Sequence, residues 1–355
     1  MKITISTAQL QSLVAKAIKG ASCNKMIPMT GMMVIERENN IVTLITTDAN
    51  NYMMVSAPSE GENFYAVVPA VLFAQLVGKL TSEVTTISFE NEQFTVYANG
   101  EYKMELPLDE NGEFVKLPTP YVEMFGEPQT AKITIDAVKR ILKMNKPALA
   151  TTLEAPCYTG YYVADRVIST DTYKLCGNNI SIFETPVLIA PETMQLLDNM
   201  SEPEIEIRVK ENEILFSTDT CTVYGNLMYG IEDYAIDAIS GLLDDSFDNS
   251  CSVVRNSVLE AVDRVSLFVG QYDNRSVYLH FTANGIEISS PQAYGVETVE
   301  YEKHTGGEFE CGVNIEMLVS QLKAQTDDIV TIEYGKPNTL KIVGDDVVQI
   351  VALDN

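Results

Sequence analysis

The chain has 355 residues, 46% of them hydrophobic, and no low-complexity tract, so it is globular and too long for one ordinary domain. Its 24 basic against 50 acidic residues give a formal charge of −26, which excludes an evenly spread nucleic-acid surface. No stretch is apolar for long enough to cross a bilayer and MKITISTAQL lacks the apolar run of a signal peptide, so the expected location is cytoplasmic, with no membrane partner.

In chain order, a strand over Lys2–Ile5 precedes a helix over Thr7–Lys19. Leu10, Leu13, Val14, Ala17 and Ile18 form its apolar face, and Lys16 and Lys19 lie on the polar one. Strands follow at Met32–Ile35 and Ile41–Thr46, then the phrase Thr46-Thr47-Asp48 and a strand at Phe64–Val68. Pro69 suits a helix start, and the pattern predicts a helix over Ala70–Leu80. Strands at Thr86–Phe89, Gln93–Ala98 and Tyr102–Leu106 close the segment, and Asp109 to Pro128 reads as a linker.

The grammar then repeats. A strand at Lys132–Ile135 leads into the amphipathic stretch Thr134–Lys146, with Asp136 as the expected cap and Val138, Ile141 and Leu142 on one side. Lys139, Lys143 and Lys146 fall at i, i+4 and i+7 and share a face that Arg140 flanks. Strands at Gly160–Val163 and Arg166–Thr170 end in Thr170-Asp171. A strand at Val187–Ala190 leads to a helix over Pro191–Met200, followed by strands at Glu204–Val209, Glu213–Ser217 and Cys221–Met228. Gly230 to Asp248 is the second expected linker.

The third copy has a strand at Ser250–Val254, a helix over Arg255–Phe268, strands at Ser276–Thr282, Gly285–Ser290 and Glu308–Val313, and a helix over Asn314–Ala324. Strands at Ile329–Tyr334, Thr339–Val343 and Val347–Leu353 end it. The second helices begin at Pro69, Pro191 and Asn314, 122 and 123 residues apart, and the two Thr-Asp phrases are 123 apart. A period near 120 residues with one order of elements predicts three α+β domains of one architecture, bounded at 1–127, 128–247 and 248–355.

On the six predicted helices, ten basic residues face six acidic ones, so the anionic excess sits on strands and loops. If the helices share a surface, it attracts a polyanion that the remainder repels. The excess of basic residues is concentrated in the first two copies.

No phosphate-loop or dinucleotide motif occurs, no nucleophile–base pair is recognisable, and the six cysteines form no C-x-x-C pair. No catalytic residue, metal or cofactor is expected. The doublets Asp244-Asp245, Asp327-Asp328 and Asp345-Asp346 fit solvated turns, and the recurring Asp48 and Asp171 fit turn caps.

The sequence resembles the bacterial-type sliding clamp, the beta subunit of DNA polymerase III, over its whole length. The likeness is carried by Met1-Lys2-Ile3-Thr4-Ile5 through Leu10 with Ile27-Pro28, by Val68-Pro69-Ala70, and by Thr170-Asp171-Thr172-Tyr173-Lys174-Leu175 against the family's T-D-G-H-R-L. Tyr229-Gly230-Ile231-Glu232-Asp233-Tyr234 matches its D-G-x-x-P-D-Y linker and Val313-Asn314-Ile315 its F-N-V.

The resemblance implies three tandem domains of the DNA-clamp fold, each with two helices on antiparallel sheets, closing a ring as a head-to-tail homodimer. It implies a processivity factor that encircles double-stranded DNA without sequence readout and tethers the polymerase catalytic subunit, clamp loader and repair proteins through short peptides. Lys16, Lys19, Lys25, Lys79, Lys139, Arg140, Lys143 and Lys146 would face DNA. The peptide pocket would use Tyr158, Thr170, Thr172, Tyr173, Lys174, Leu175, Asn314, Met317, Val351, Ala352 and Leu353. The dimer interface would use Leu72, Leu76 and Leu80, whose spacing fits core packing equally well, with Tyr102, Met104 and Leu106 pairing against Tyr294, Val296, Thr298 and Glu300. Thr172-Tyr173-Lys174 replaces the family's G-H-R, and the tail Val-Ala-Leu-Asp-Asn replaces its M-P-M-R-L, which implies a different peptide preference. The competing readings are an acidic repeat scaffold that binds only protein and an α+β enzyme without a recognisable motif.

Overall fold

A computed structural model describes residues 1–90, 92–118, 128–270 and 275–354. The first segment contains β1 (Lys2–Ser6), α1 (Thr7–Ala17), β2 (Met32–Glu38), β3 (Ile41–Thr47), β4 (Asn51–Pro58), β5 (Glu60–Gly61), β6 (Phe64–Pro69), α2 (Ala70–Val77), β7 (Val84–Glu90), β8 (Gln93–Tyr97) and β9 (Glu101–Met104). The middle segment contains β10 (Gln129–Thr134), α3 (Ile135–Met144), β11 (Tyr161–Val163), β12 (Val167–Thr170), β13 (Lys174–Asn178), β14 (Val187–Ile189), α4 (Pro191–Leu197), β15 (Glu204–Lys210), β16 (Glu213–Ser217) and β17 (Cys221–Asn226). After α5 (Ile236–Asp244), the third segment contains β18 (Asn249–Val254), α6 (Arg255–Ser266), β19 (Ser276–Phe281), β20 (Gly285–Ser289), β21 (Val296–Glu300), β22 (Lys303–Thr305), β23 (Phe309–Asn314), α7 (Ile315–Ala324), β24 (Ile329–Tyr334), β25 (Thr339–Val343) and β26 (Val347–Ala352).

These elements fold into two compact units, Met1–Val138 with Glu192–Leu227, and Lys139–Pro191 with Met228–Asn355. The middle segment therefore divides between them. In the first unit, the sheet β10-β15-β16-β17-β4-β3-β2-β6 joins middle and first segments through the antiparallel pair β17–β4, and a second sheet runs β5-β1-β7-β8-β9. In the second unit, β14-β11-β12-β13-β26-β25-β24-β18-β22 joins middle and third segments through β13–β26, and a second sheet runs β21-β20-β19-β23.

Each opening helix begins where its strand ends, and the last strand residue can cap it. The Ser6 hydroxyl accepts from the Gln9 N–H at 3.2 Å, and the Thr134 hydroxyl accepts from Ala137 N–H at 3.1 Å. Thr134, and not Asp136, is thus the cap of α3; Asp136 lies in the first turn, where its charge suits the helix dipole. Leu10, Leu13, Val14 and Ala17 bury one face of α1, as Val138, Ile141 and Met144 do on α3. The second unit's core centres on Phe281 and Tyr334, stacked with centroids 3.9 Å apart. Full burial of such side chains contributes about 1.5–3 kcal/mol each.

Most helices are shorter than the sequence pattern predicts, with α3 confined to Ile135–Met144 and α6 ending at Ser266. α1 passes into a 3-10 turn at Ile18–Gly20, and α2 and α4 stop at Val77 and Leu197. The sequence pattern also lacks β4, β5, β13, β21 and β22. The second expected linker contains α5, whose Ile239 and Leu243 are buried. Of the first expected linker, residues 119–127 and the segment boundary at 127 lie outside the described residues.

Candidate nucleic-acid interface and peptide pocket

The recurring Thr-Asp phrase builds the same turn twice. In the first copy, Thr47 Oγ1 donates to the Asn51 carbonyl at 2.7 Å, and Asp48 Oδ1 accepts from the N–H groups of Asn50 and Asn51 at 2.9 and 2.6 Å. In the second, Thr170 Oγ1 donates to the Lys174 carbonyl at 2.7 Å, and Asp171 Oδ1 accepts from Tyr173 and Lys174 at 3.0 and 2.6 Å. Ala49 and Thr172 occupy the left-handed position of each turn, with φ of 84° and 76°. Oδ1 of each aspartate is spent on backbone N–H groups, which is a turn-forming role.

What lies beside the two turns differs. In the second unit Leu175 stands opposite Ile350, and Thr339 stands opposite Ala352. Around them Tyr158, Thr170, Thr172, Tyr173, Lys174, Leu175, Ile239, Leu242, Thr339, Ile350 and Ala352 line a largely apolar cavity of about 210 Å³. At the matching ladder positions of the first unit, Tyr52 stands opposite Tyr224 and Glu213 opposite Asn226. There the Tyr224 hydroxyl donates to the Glu213 carboxylate, and the two tyrosine rings lie 6.2 Å apart. Burial and Glu213 together push the Tyr224 hydroxyl up to about 12. The Lys174 ammonium at the cavity is already engaged, donating to the Pro147 carbonyl at 2.7 Å and lying 3.2 Å from the Asp171 carboxylate. The stem of Lys174 is therefore what the cavity presents.

Four of the residues expected at this pocket lie elsewhere. Val351 is fully buried and Leu353 nearly so in the second unit's core, because their side chains alternate with those of Ile350 and Ala352. Asn314 caps α7, accepting from Glu316 and Met317 N–H at 3.0 and 3.2 Å, and Met317 packs on the same core. Ile239, Leu242, Thr339 and Ile350 line the cavity and were missed. Beneath the pocket Tyr158 meets Tyr234 edge-on at 5.0 Å, and burial raises the Tyr234 hydroxyl strongly.

In the first unit, Lys19, Lys25 and Lys79 are exposed, and Lys16 donates to the Ser201 hydroxyl at 2.7 Å. In the second, Lys139 and Lys143 are exposed on α3 and Lys146 on the following 3-10 turn. Arg140 is half-buried and its guanidinium pairs with Asp346 at 2.7 Å, so its charge is partly spent.

All four sheets are open among the described residues, and β9 in the first unit and β21 in the second are two of their edge strands. Tyr102 and Leu106 are half-buried and Met104 is buried, whereas Tyr294, Val296, Thr298 and Glu300 are exposed. Leu72 is 52% exposed and Leu76 half-buried, but Leu80 lies beyond the end of α2 and is buried. The expected leucine stripe is thus two residues long, and Leu80 serves the first unit's core. The sequence pattern also missed Leu267 and Phe268, which follow α6 and are 82% and 52% exposed. Beside them Arg264 grips Glu297 of β21 through two hydrogen bonds of 2.9 and 2.5 Å, which hold the Glu297 carboxyl below its usual range.

No group of three His, Cys, Asp or Glu suited to a metal occurs among the described residues. No helix among them is long and apolar enough to cross a membrane. Among the described residues, repeated α+β copies share sheets, leave edge strands open and carry exposed lysines on their helices.

Residues 1–118 match the family model of the DNA polymerase III beta subunit, N-terminal domain. Over 360 residues the chain is 20% identical to the beta sliding clamp of Lactococcus lactis subsp. lactis strain IL1403, covering 94% of this chain and 92% of that protein. The beta sliding clamp of Halalkalibacterium halodurans is 20% identical over 336 residues, with 89% and 84% covered. Among solved structures, the beta subunit from the DNA polymerase of Streptococcus pyogenes superposes with a TM-score of 0.89 at 17% identity, covering all of both chains. The Bacillus subtilis DNA polymerase sliding clamp does so at 0.86 and 21%, covering 100% of this chain and 99% of that one. Residues 1–118 thus match the N-terminal domain of the DNA polymerase III beta subunit, and the whole chain has the fold of the DNA polymerase sliding clamps.

Proposed function

We propose that two copies of the chain close head to tail around duplex DNA in the cytoplasm, each built of three clamp domains at 1–127, 128–247 and 248–355. In this reading Lys16, Lys19, Lys25, Lys79, Lys139, Lys143 and Lys146 face phosphates, while the acidic remainder repels strands from outside. The observation that carries it is α3, an exposed Lys139–Lys143 pair set against a fully buried Val138–Ile141 face in a chain of charge −26. Ring closure would pair β9 of one protomer with β21 of its partner. Leu72 and Leu76 would then meet the partner subunit's Leu267 and Phe268, so that both edges lose their exposed apolar groups.

The cavity beside Tyr173 would take a short peptide with leucine- or phenylalanine-sized anchors, borne by the polymerase catalytic subunit, the clamp loader and repair proteins. Retention on DNA tests the whole reading. Once loaded, the protein should remain on a closed circle at a salt concentration that strips surface binders, and should leave when the circle is cut. Equal retention on circular and linear DNA would replace it with a surface-binding scaffold.

A further inference from the structure

Helix α5 forms one wall of the cavity through Ile239 and Leu242, yet it is poorly equipped to hold that position alone. It has nine residues and an internal glycine, Gly241, so its intrinsic stability in water is marginal. Its inner face rests on the sheet through Ile239 and Leu243.

Its C-terminal end is tied down by charge. Arg166, in the β11–β12 turn of the middle segment, donates from Nη1 to Asp244 Oδ1 at 3.0 Å. On the third segment, the Lys336 ammonium pairs with the Asp245 carboxylate and sits 4.6 Å from the centroid of the Phe247 ring. The Lys341 ammonium, on a residue only 7% exposed, donates to the Asp245 carbonyl at 2.8 Å and is paired with Glu333 at 3.4 Å. These ties reach both sides of the β13–β26 junction, and none of the three cations lines the cavity.

We infer that Arg166, Lys336 and Lys341 are positioning residues for the peptide pocket, clamping α5 as an ionic strap across the junction so that Ile239 and Leu242 stand preformed. The inference rests on the peptide reading of the cavity. Cations at a helix C-terminus also complement the dipole, which adds to the hold. The cavity itself offers an uncharged peptide no free charge, since Lys174 is already engaged by Asp171 and the Pro147 carbonyl. Apolar contacts are not screened by salt, whereas exposed ion pairs are. Salt-dependent binding of a neutral peptide therefore reports the strap and not the peptide contacts.

The experiment uses the full chain and a capped, uncharged peptide carrying one leucine and one phenylalanine, titrated from about 0.05 to about 1 M ionic strength. Binding to the wild type should weaken several-fold as salt rises. Arg166→Gln with Lys336→Met should bind roughly tenfold more weakly at low salt and lose most of the salt dependence. The swap Arg166→Asp with Asp244→Arg should recover affinity, which a merely misfolded pocket would not. Amide exchange at residues 239–244 should speed up in the double variant and, with salt, in the wild type. An unchanged salt slope in the double variant, or unaltered exchange on α5, overturns the strap. If no neutral peptide binds the wild type at any salt, the pocket reading falls, and exchange on α5 alone decides whether the strap exists.

Discussion

Leu243 of α5 rests directly on Gly177 of β13: a β-carbon built on Gly177 would lie 2.7 Å from Leu243 Cδ1. The contact sets how closely the helix approaches the sheet, and so the width of the cavity beside it. Gly177→Ala should push α5 outward and cost about 1–3 kcal/mol as an overpacked site. Denaturant unfolding would measure the loss, and peptide affinity should fall in the same variant. Wild-type stability and affinity would show that α5 is not seated on the glycine.

At Gly241, two residues before Leu243, a β-carbon would meet nothing within 4 Å. Glycine in a helix interior costs roughly 0.5–1 kcal/mol relative to alanine. Gly241→Ala should stabilise α5 by about that amount and slow its amide exchange, with peptide affinity unchanged or improved. Faster exchange would mean that the helix is not formed in solution.

Replacing Lys139, Lys143 and Lys146 with glutamate should weaken DNA association and leave the fold intact, since Lys139 and Lys143 are exposed and lie away from the buried face of α3. For every phosphate that is no longer neutralised, the logarithmic salt dependence should flatten by about 0.9. The measurement is DNA affinity against salt, with circular dichroism to confirm folding. Unchanged binding by a folded dimer would remove α3 from the DNA surface.

Leu267→Asp places a charge on an 82% exposed side chain, so the protomer should fold normally. A charge buried at a docked edge would leave an unpaired group there, and dimer dissociation should rise at least tenfold. Sedimentation equilibrium decides it. An unaffected dimer would place the interface elsewhere.

The buried thiols set an alkaline limit. Burial pushes Cys221, Cys251 and Cys311 from an ordinary 9.0 up to about 12. Tyr334 is pushed from 10.0 to about 12 by the same cause. In each case the folded state favours the neutral form. The associated stability is therefore complete below the unfolded value and is lost as pH rises from about 9 towards about 12. Melting temperature should hold up to about pH 8 and then decline, and Cys251→Ala should flatten the decline. A melting temperature that does not move over that range would contradict the burial of these thiols.

The repeat was legible because it is written in hydrophobic spacing and in turn chemistry that each copy must satisfy locally, as the twin bonds of Thr47 and Thr170 illustrate. What escaped was decided by tertiary packing. β13 reads as Lys-Leu-Cys-Gly-Asn, and its glycine, which argues against a strand by itself, is the seat for Leu243. α5 hides among acidic residues because its ties are ionic and come from distant hairpins. Leu267 and Phe268 continue the apolar rhythm of α6, and only the folded chain reveals that they face outward. At the C-terminus, alternation along one strand sends Val351 inward and Ala352 to the cavity, a one-residue distinction that likeness to a family cannot supply.

The Tyr224–Glu213 bond fills, in the first unit, the place where Ile350 and Thr339 leave a hollow in the second. On the peptide reading proposed above, the second unit keeps a berth whose counterpart in the first unit is stoppered, and a pair of chains would offer two. Clients of the assembly would then be few at any moment and would have to queue, so occupancy order becomes a matter of relative abundance and dwell time. Freeing the stoppered copy with smaller side chains would change that traffic without touching the berth in use.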